Sequence, residues 1–152
     1  MTEKVIELLT RFTIEDAVVR MFVATDERDW QTLASCFTDP FLLDMTSMLG
    51  GTPATMTPTQ VANAWAEGFK PLDHVHHQVS NVRTTINSNI ALVRCYGVAF
   101  HHRSHISQAP KSRIFVGTYE LRLVKSDENW LINELKFILK FIDGNLYLEK
   151  SV

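Results

Sequence analysis

Two titratable side chains, 51 positions apart in the chain, sit in patterns that could support proton transfer. The first is Asp26. In the stretch Ile14 to Trp30, IEDAVVRMFVATDERDW, the residues Ile14, Val18 and Phe22 recur every four positions, and the next place on that face is Asp26. A helix of this pattern buries its apolar stripe. The carboxylate is therefore expected at the inner end of the helix, over the core, where burial is costly without a partner. The expected partner is His77, in Asp73 to Val82, DHVHHQVSNV. On a strand, Val75, His77 and Val79 share a side with Asn81, while His74, His76, Gln78 and Ser80 make the other side polar. A carboxylate behind an imidazole orients the ring, fixes its tautomer and steadies its protonated form, and an apolar wall strengthens the attraction. The competing reading is structural: Asp26 caps a loop and His77 is a hydrogen-bonded core histidine.

The remaining chemistry is thinner. The six histidines fall into two clusters, 74/76/77 and 101/102/105. His74 and His76 share a polar strand face with no carboxylate placed to complete a shell, so no metal site is expected. Alternation does not decide whether His101 or His102 faces inward. No G-x-S-x-G, G-x-G-x-x-G or P-loop is present, and neither Cys36 nor Cys95 has a recognisable nucleophile context. Covalent catalysis and nucleotide cofactors are not expected, and no cofactor is implied. Phe22, Met45, Met48, Trp65, Phe69, Phe100 and Phe137 read singly as core. Together they suit a pocket for a small apolar or aromatic-like molecule. Tyr119, Asn81 and Asn133 are the expected hydrogen-bonding groups within it.

The elements that must carry these residues change character midway. Residues 3–10 read as a short leading helix. Thr13 reads as the N-cap of the Asp26 helix, with Glu15 and Asp16 in its first turn. Asp29 to Phe37 fits another short helix ended by Asp39-Pro40, and Phe41 to Met45 a short strand. Gly50-Gly51-Thr52-Pro53 reads as a loop. Thr57, Pro58 and Gln60 announce a capped helix running to about Phe69, with Val61, Trp65 and Phe69 as its buried stripe. Residues 74–86, 90–104, 113–125 and 130–142 then read as four long strands. Short turns at Asn87-Ser88-Asn89 and Asp127-Glu128-Asn129 give an antiparallel meander. Helices first and strands later imply α+β, about three helices packed on one face of a curved sheet of four long strands plus a short one. In the third long strand Phe115, Gly117, Tyr119, Leu121 and Leu123 face inward. In the fourth, Leu131, Asn133, Leu135, Phe137, Leu139 and Phe141 do. Ile114, Val116, Thr118, Ile132 and Ile138 are left outside, as an interface with another copy of the chain would be.

The totals fit one domain over residues 1–152 with a sizeable core: 45% of residues are hydrophobic. A formal net charge of -2 and the lack of a basic stripe weigh against nucleic acid as a partner. No apolar run approaches the roughly 18 residues of a membrane span, and no signal-peptide pattern is present. The two isolated cysteines read as reduced core thiols, which with the rest suggests a cytoplasmic protein.

Several stretches carry a resemblance. TDERDW, a short strand ending LLDM, GGTPATMTP before a helix with Trp65, then HHQVSN, SRIFVGTYELRLVK and NWLINELKF resemble, in that order, the SnoaL-like branch of the NTF2-like superfamily. Within it the chain is most similar to relatives of scytalone dehydratase. The resemblance covers nearly the whole chain and implies an NTF2-like cone. It implies that Asp26 and His77 are the proton-transfer pair and that His102 matches the dehydratase's second histidine. The tyrosines with which that enzyme holds a water match Thr25 and Met45, and a pocket asparagine matches Tyr119, which counts against scytalone as the substrate. The implied activity is a cofactor-independent lyase of dehydratase type, or an isomerase, acting on a small apolar cyclic substrate. His77 would be the base, with Tyr119 or His102 at the oxygen or leaving group. Ketosteroid isomerases share the cone but use carboxylic acids, and Asp44 is a stray acid without a matching partner. The rival class is a non-catalytic ligand-binding or assembly module. A filled interior, or an Asp26 and His77 too far apart to bond, would favour the rival.

Overall fold

A computed structural model describes residues 2–152. Four helices precede or interrupt the strands: α1 (Glu3–Asp26), α2 (Trp30–Ala34), α3 (Thr46–Leu49) and α4 (Pro58–Phe69). The strands are β1 (Phe37–Asp44), β2 (Ala54–Met56), β3 (His74–Asn87), β4 (Ile90–His102), β5 (Ser112–Ser126) and β6 (Asn129–Gly144), and a short 3-10 turn, Leu148–Lys150, ends the chain. They form one six-stranded sheet in the order β2-β1-β6-β5-β4-β3. The α+β class and the long meander are as expected. The sheet has one strand more than expected, because residues 54–56 add β2 to β1. It is also not wholly antiparallel, since β1 lies parallel to β6.

The two expected helices before Asp26 are one helix of 24 residues. Thr13 does not cap. Its hydroxyl instead donates back to the Thr10 carbonyl at 2.8 Å, a bond that a threonine inside a helix can make. The apolar stripe sits as expected, with Ile14, Val18, Met21 and Phe22 buried. The cap of α4 also forms as expected. Thr57 Oγ1 accepts from the Gln60 N–H and Gln60 Oε1 from the Thr57 N–H, with Pro58 starting the helix.

Helix α1 is tied along the edge strand β3. Arg11 Nη1 donates to the Thr84 carbonyl at 2.6 Å, and the Thr84 hydroxyl to Glu15 Oε1 at 2.8 Å. For Thr84 and His77 to face the same helix, β3 must change face between them. It does so at a bulge, where Asn81 and Val82 together stand opposite Cys95, and Asn81 takes φ 54°. Asn81 is thereby turned out to solvent, which removes it from the expected pocket.

Two more bulges re-aim β6. Asn133 is the extra residue between the pairs Leu123–Ile132 and Arg122–Glu134, and Lys140 that between Gly117–Leu139 and Val116–Phe141. Trp130 and Ile132 therefore point inward and are buried, as are Leu135 and Phe137. Asn133 leaves the inner face, and Phe141 is turned outward and exposed, contrary to simple alternation.

Gly97 and Gly117 are cross-strand partners on the inner face. A Cβ on Gly97 would lie 2.1 Å from the Tyr119 ring; one on Gly117 would lie 2.5 Å from the Phe137 ring and 2.4 Å from the Ile138 carbonyl oxygen. The bare pair lets both aromatic rings lie against the sheet. Gly117→Ala should destabilise the fold by about 3 kcal/mol, the upper end of overpacking costs, because backbone blocks the added methyl. A urea midpoint unchanged from wild type would contradict this reading.

Candidate active site

The cone encloses a cavity of about 500 Å³ between α1, α3, α4 and the inner face of the sheet. Its wall is mostly apolar: Met21, Phe22, Met45, Met48, Trp65, Phe69, Phe115 and Phe137 are among the residues that line it. The polar groups that reach it are few, and His77 is one of them.

Helix α1 ends where the apolar stripe predicts, and Asp26 comes to rest against β3. Its Oδ1 lies 2.6 Å from His77 Nδ1, and its Oδ2 accepts the His77 backbone N–H at 2.8 Å. One carboxylate thus holds both the ring and the backbone of the same residue. The two side chains keep only 10% (His77) and 17% (Asp26) of their exposure. An ionised carboxylate only accepts, so with Asp26 ionised His77 Nδ1 is the donor in this contact, and in the neutral ring Nε2 then keeps the lone pair. Phe22, one turn before Asp26, packs on the imidazole with ring centroids 5.3 Å apart. The short helix α2, capped by Asp29 through the Thr32 N–H at 3.0 Å, turns the chain away directly after the pair.

Tyr119 lines the cavity as expected, packed between Phe22 at 4.8 Å and Phe137 at 4.7 Å. Burial pushes its phenol well above the ordinary range, so it keeps its proton and can donate it in a hydrogen bond. Phe22, Met45, Met48, Trp65 and Phe137 are wall residues as expected.

Four expected site residues lie elsewhere. Asn81 and Asn133 are displaced by the bulges. Phe100 and His102 fall on the outer face of β4, where Phe100 packs near His76 and the His102 ring bonds Ser112 Oγ at 2.7 Å. The alternation that buries Ala91, Val93, Cys95 and Ala99 carries inward to His101 instead. Asp44, the stray acid, is used locally: its Oδ1 accepts from the Thr46 N–H and hydroxyl at 3.0 and 2.6 Å, just before α3.

His101 was placed on neither face by the sequence, and Arg113 and Glu149 were missed. All three line the cavity. Arg113 stands opposite His101 in the β4–β5 register, and its Nη2 lies 3.0 Å from His101 Nδ1. The same guanidinium forms a two-pronged ion pair with Glu149. Arg113 was legible in principle, being a charged residue on the face shared by Phe115 and Tyr119. Burial first, and then the Arg113 cation, pushes the His101 pKa down to about 4. For Glu149, burial acts to raise the carboxyl, but the hydrogen bonds and charge of Arg113 outweigh it and hold the group below its usual range.

A stability dependence on pH follows. An unfolded histidine titrates near 6.5 and folded His101 near 4, so between these values the unfolded chain binds more protons. The contribution is complete above pH 6.5 and is lost as pH falls through 4. It amounts to roughly 3 kcal/mol at most. His101→Gln, which still accepts from Arg113 but does not titrate, should flatten the fall in unfolding free energy between pH 7 and pH 4. An identical slope in both proteins would refute it.

Among the described residues no His, Cys, Asp and Glu side chains converge in a group able to hold a metal ion. No described helix is long and apolar enough to cross a membrane. Cys36 and Cys95 are free and buried, and burial raises both thiols, Cys95 to about 11.

A family model described as a SnoaL-like domain matches residues 7–136. No curated protein matches the chain. Among solved structures, the Kfla4162 protein of Kribbella flavida is 22% identical, with TM-score 0.87 over 93% of this chain and 97% of its own. A scytalone dehydratase candidate from Novosphingobium aromaticivorans DSM 12444 is 19% identical, with TM-score 0.78 over 90% of this chain and 88% of its own. Hexachlorocyclohexane dehydrochlorinase LinA-type3 from Novosphingobium barchaimii LL02 is 14% identical, with TM-score 0.78 over 95% of each chain. At these identities the likeness is one of fold.

Proposed function

The chain belongs to the SnoaL-like family, and from that premise we propose that it is a cofactor-independent lyase or isomerase of a small, largely apolar cyclic molecule. His77 Nε2 takes a proton from a carbon beside an activating group, and Asp26 stabilises the imidazolium that forms. In an elimination the C–H electrons become the new C=C bond as the leaving group departs with its own electron pair. In an isomerisation the imidazolium returns the proton at another carbon. Tyr119, kept protonated, donates a hydrogen bond to the oxygen or leaving group that gains charge.

The observation that carries this reading is the 2.6 Å contact between His77 and Asp26 at the wall of an open cavity of about 500 Å³. A filled interior or a separated pair would have favoured the alternative, a non-catalytic ligand-binding or assembly module; the cavity is open and the pair is in contact. The fold neighbours, a dehydratase candidate and a dehydrochlorinase, add support for elimination chemistry. The test is a panel of small cyclic hydroxy ketones and chlorinated cyclohexanes, followed by absorbance of the alkene product and by deuterium uptake at carbon in D2O. Deuterium uptake or alkene formation above the buffer rate is expected for at least one compound. A panel wholly inert to wild-type protein would count against catalysis.

Self-association belongs to the same reading. Val5, Ile6, Leu9 and Phe12 on α1, and Leu92, Tyr96 and Phe141 on the outer sheet face, are exposed apolar side chains that a second copy would cover. Of the outer residues expected there, Ile114, Val116 and Ile138 are half-buried, whereas Thr118 is buried and Ile132 is turned into the core. Light scattering after size exclusion should return a multiple of 17.4 kDa, and a monomer at high concentration would overturn the assignment.

A further inference from the structure

The cavity holds two imidazoles, and in each the group facing Nδ1 dictates where the proton sits. At His77 that group is a carboxylate oxygen, which leaves Nε2 as the lone-pair nitrogen. At His101 it is Arg113 Nη2. A guanidinium has only N–H donors, so His101 Nδ1 must accept, and the proton of the neutral ring lies on Nε2. The two rings are therefore held in opposite tautomers, one able to take a proton and one able to offer a hydrogen bond.

We propose that His101 Nε2–H is a fixed donor to a substrate carbonyl oxygen, and that Arg113 and Glu149 are positioning residues that lock it in that tautomer. The proposal rests on His77 as the base and narrows its substrate to a carbonyl compound with a hydrogen on the adjacent carbon. When His77 takes that hydrogen, the C–H electrons form a C–C π bond and the carbonyl π electrons move onto oxygen. The enolate oxygen then accepts from His101 Nε2–H.

The sheet sets the spacing. His77 pairs with Ala99, and His101 lies two residues farther along the same face. Such diagonal neighbours stand roughly 7–8 Å apart at the backbone, and both rings line the same cavity, so a C–C=O unit between them can meet one ring at each end. Phe69 and Phe115 pack against the His101 ring, with centroids 5.4 and 5.0 Å away, and shield it from water. The charged and titratable groups that act on it are Arg113, His77, Glu149 and Asp26. Burial and the cation keep the ring neutral through physiological pH. Glu149 is itself fixed, because Arg103 Nη1 donates to the carbonyls of Leu148, Glu149 and Ser151 at 3.2, 3.0 and 2.8 Å. The end of the chain thus sets a proton position inside the pocket.

Two measurements test this. The first is ring-nitrogen NMR of 15N-labelled protein. Wild type should show His101 with Nδ1 unprotonated and Nε2 protonated from pH 5.5 to 8. Arg113→Met, which leaves the Glu149 carboxylate nearby, should raise the pH at which His101 takes up its second proton, because the cation that opposes it is gone while burial remains. Glu149→Gln keeps an acceptor for the guanidinium and should keep the tautomer. An Nδ1–H tautomer in wild type, or a spectrum indifferent to Arg113→Met, overturns the proposal.

The second is binding of a matched pair of probes, acetophenone and ethylbenzene. The ratio of their affinities should shift about tenfold toward the hydrocarbon in His101→Phe, the loss of one hydrogen bond, and stay put in His77→Ala. A ratio untouched by His101→Phe overturns the donor role. Because neither measurement needs turnover, failure here is distinguishable from failure of His77 as the base.

Discussion

His77→Ala should lower turnover by about a hundredfold to ten-thousandfold, the usual worth of a positioned general base, and leave the fold intact. The imidazole is the group of the dyad with a free lone pair at the cavity, so removing it removes the proton acceptor. The fold should survive because the helix–strand tie does not depend on the ring alone. The backbone N–H of residue 77 still donates to Asp26 Oδ2, and the Arg11 and Glu15 contacts to Thr84 lie well away. The lost packing against Phe22 should cost about 1–2 kcal/mol, within the range of ordinary substitutions. Circular dichroism and a urea midpoint check the fold, and turnover of whichever panel compound wild type converts checks the activity. Full turnover by the alanine variant would remove the assigned role.

Asp26→Asn should be nearly as damaging, about a thousandfold in turnover, with a smaller effect on stability. The wild-type carboxylate accepts two hydrogen bonds from one residue, at 2.6 and 2.8 Å. An amide has one oxygen and one NH2, so only one of those bonds can survive. If the oxygen keeps the backbone N–H, the NH2 faces His77 Nδ1 and the ring must put its proton on Nε2. That places a hydrogen where the lone pair is needed. The anion that steadies the imidazolium is also gone. Steady-state kinetics of the variant, with the midpoint of unfolding as control, decide the matter. Wild-type kinetics would mean that Asp26 only anchors the helix end.

The parts that local pattern could reach were read well. The stripe of α1 pointed to its terminal carboxylate, the Thr57–Gln60 capping box marked the start of α4, and the alternation in β3 turned His77 inward. Each depends on neighbours within a turn or a few residues. The misses have one recurring cause, which is the bulge. Alternation keeps count only while the ladder is regular, and the extra residues at Asn81–Val82, Asn133 and Lys140 each change which face follows. Thus Asn81 and Asn133 dropped out of the site, while Phe141 turned outward.

His101 and His102 are a different case. Both faces of β4 carry mixed side chains, so their placement is decided by what lies across the sheet. The partner of His101 there is Arg113, and the partner of Arg113 comes from the last residues of the chain. No local window contains that triad. The parallel pairing of β1 with β6 is likewise a long-range choice that local propensity does not encode.

A crystal structure of the wild-type protein with a converted compound, or its unreactive analogue, tests the central assignment most directly. The reacting C–H should lie about 3.5 Å from His77 Nε2, with Asp26 still bonded to Nδ1 and the body of the molecule against Phe22, Trp65 and Phe137. A ligand whose reacting carbon lies away from that nitrogen, or an Asp26 carboxylate bonded to something else in the complex, would contradict it.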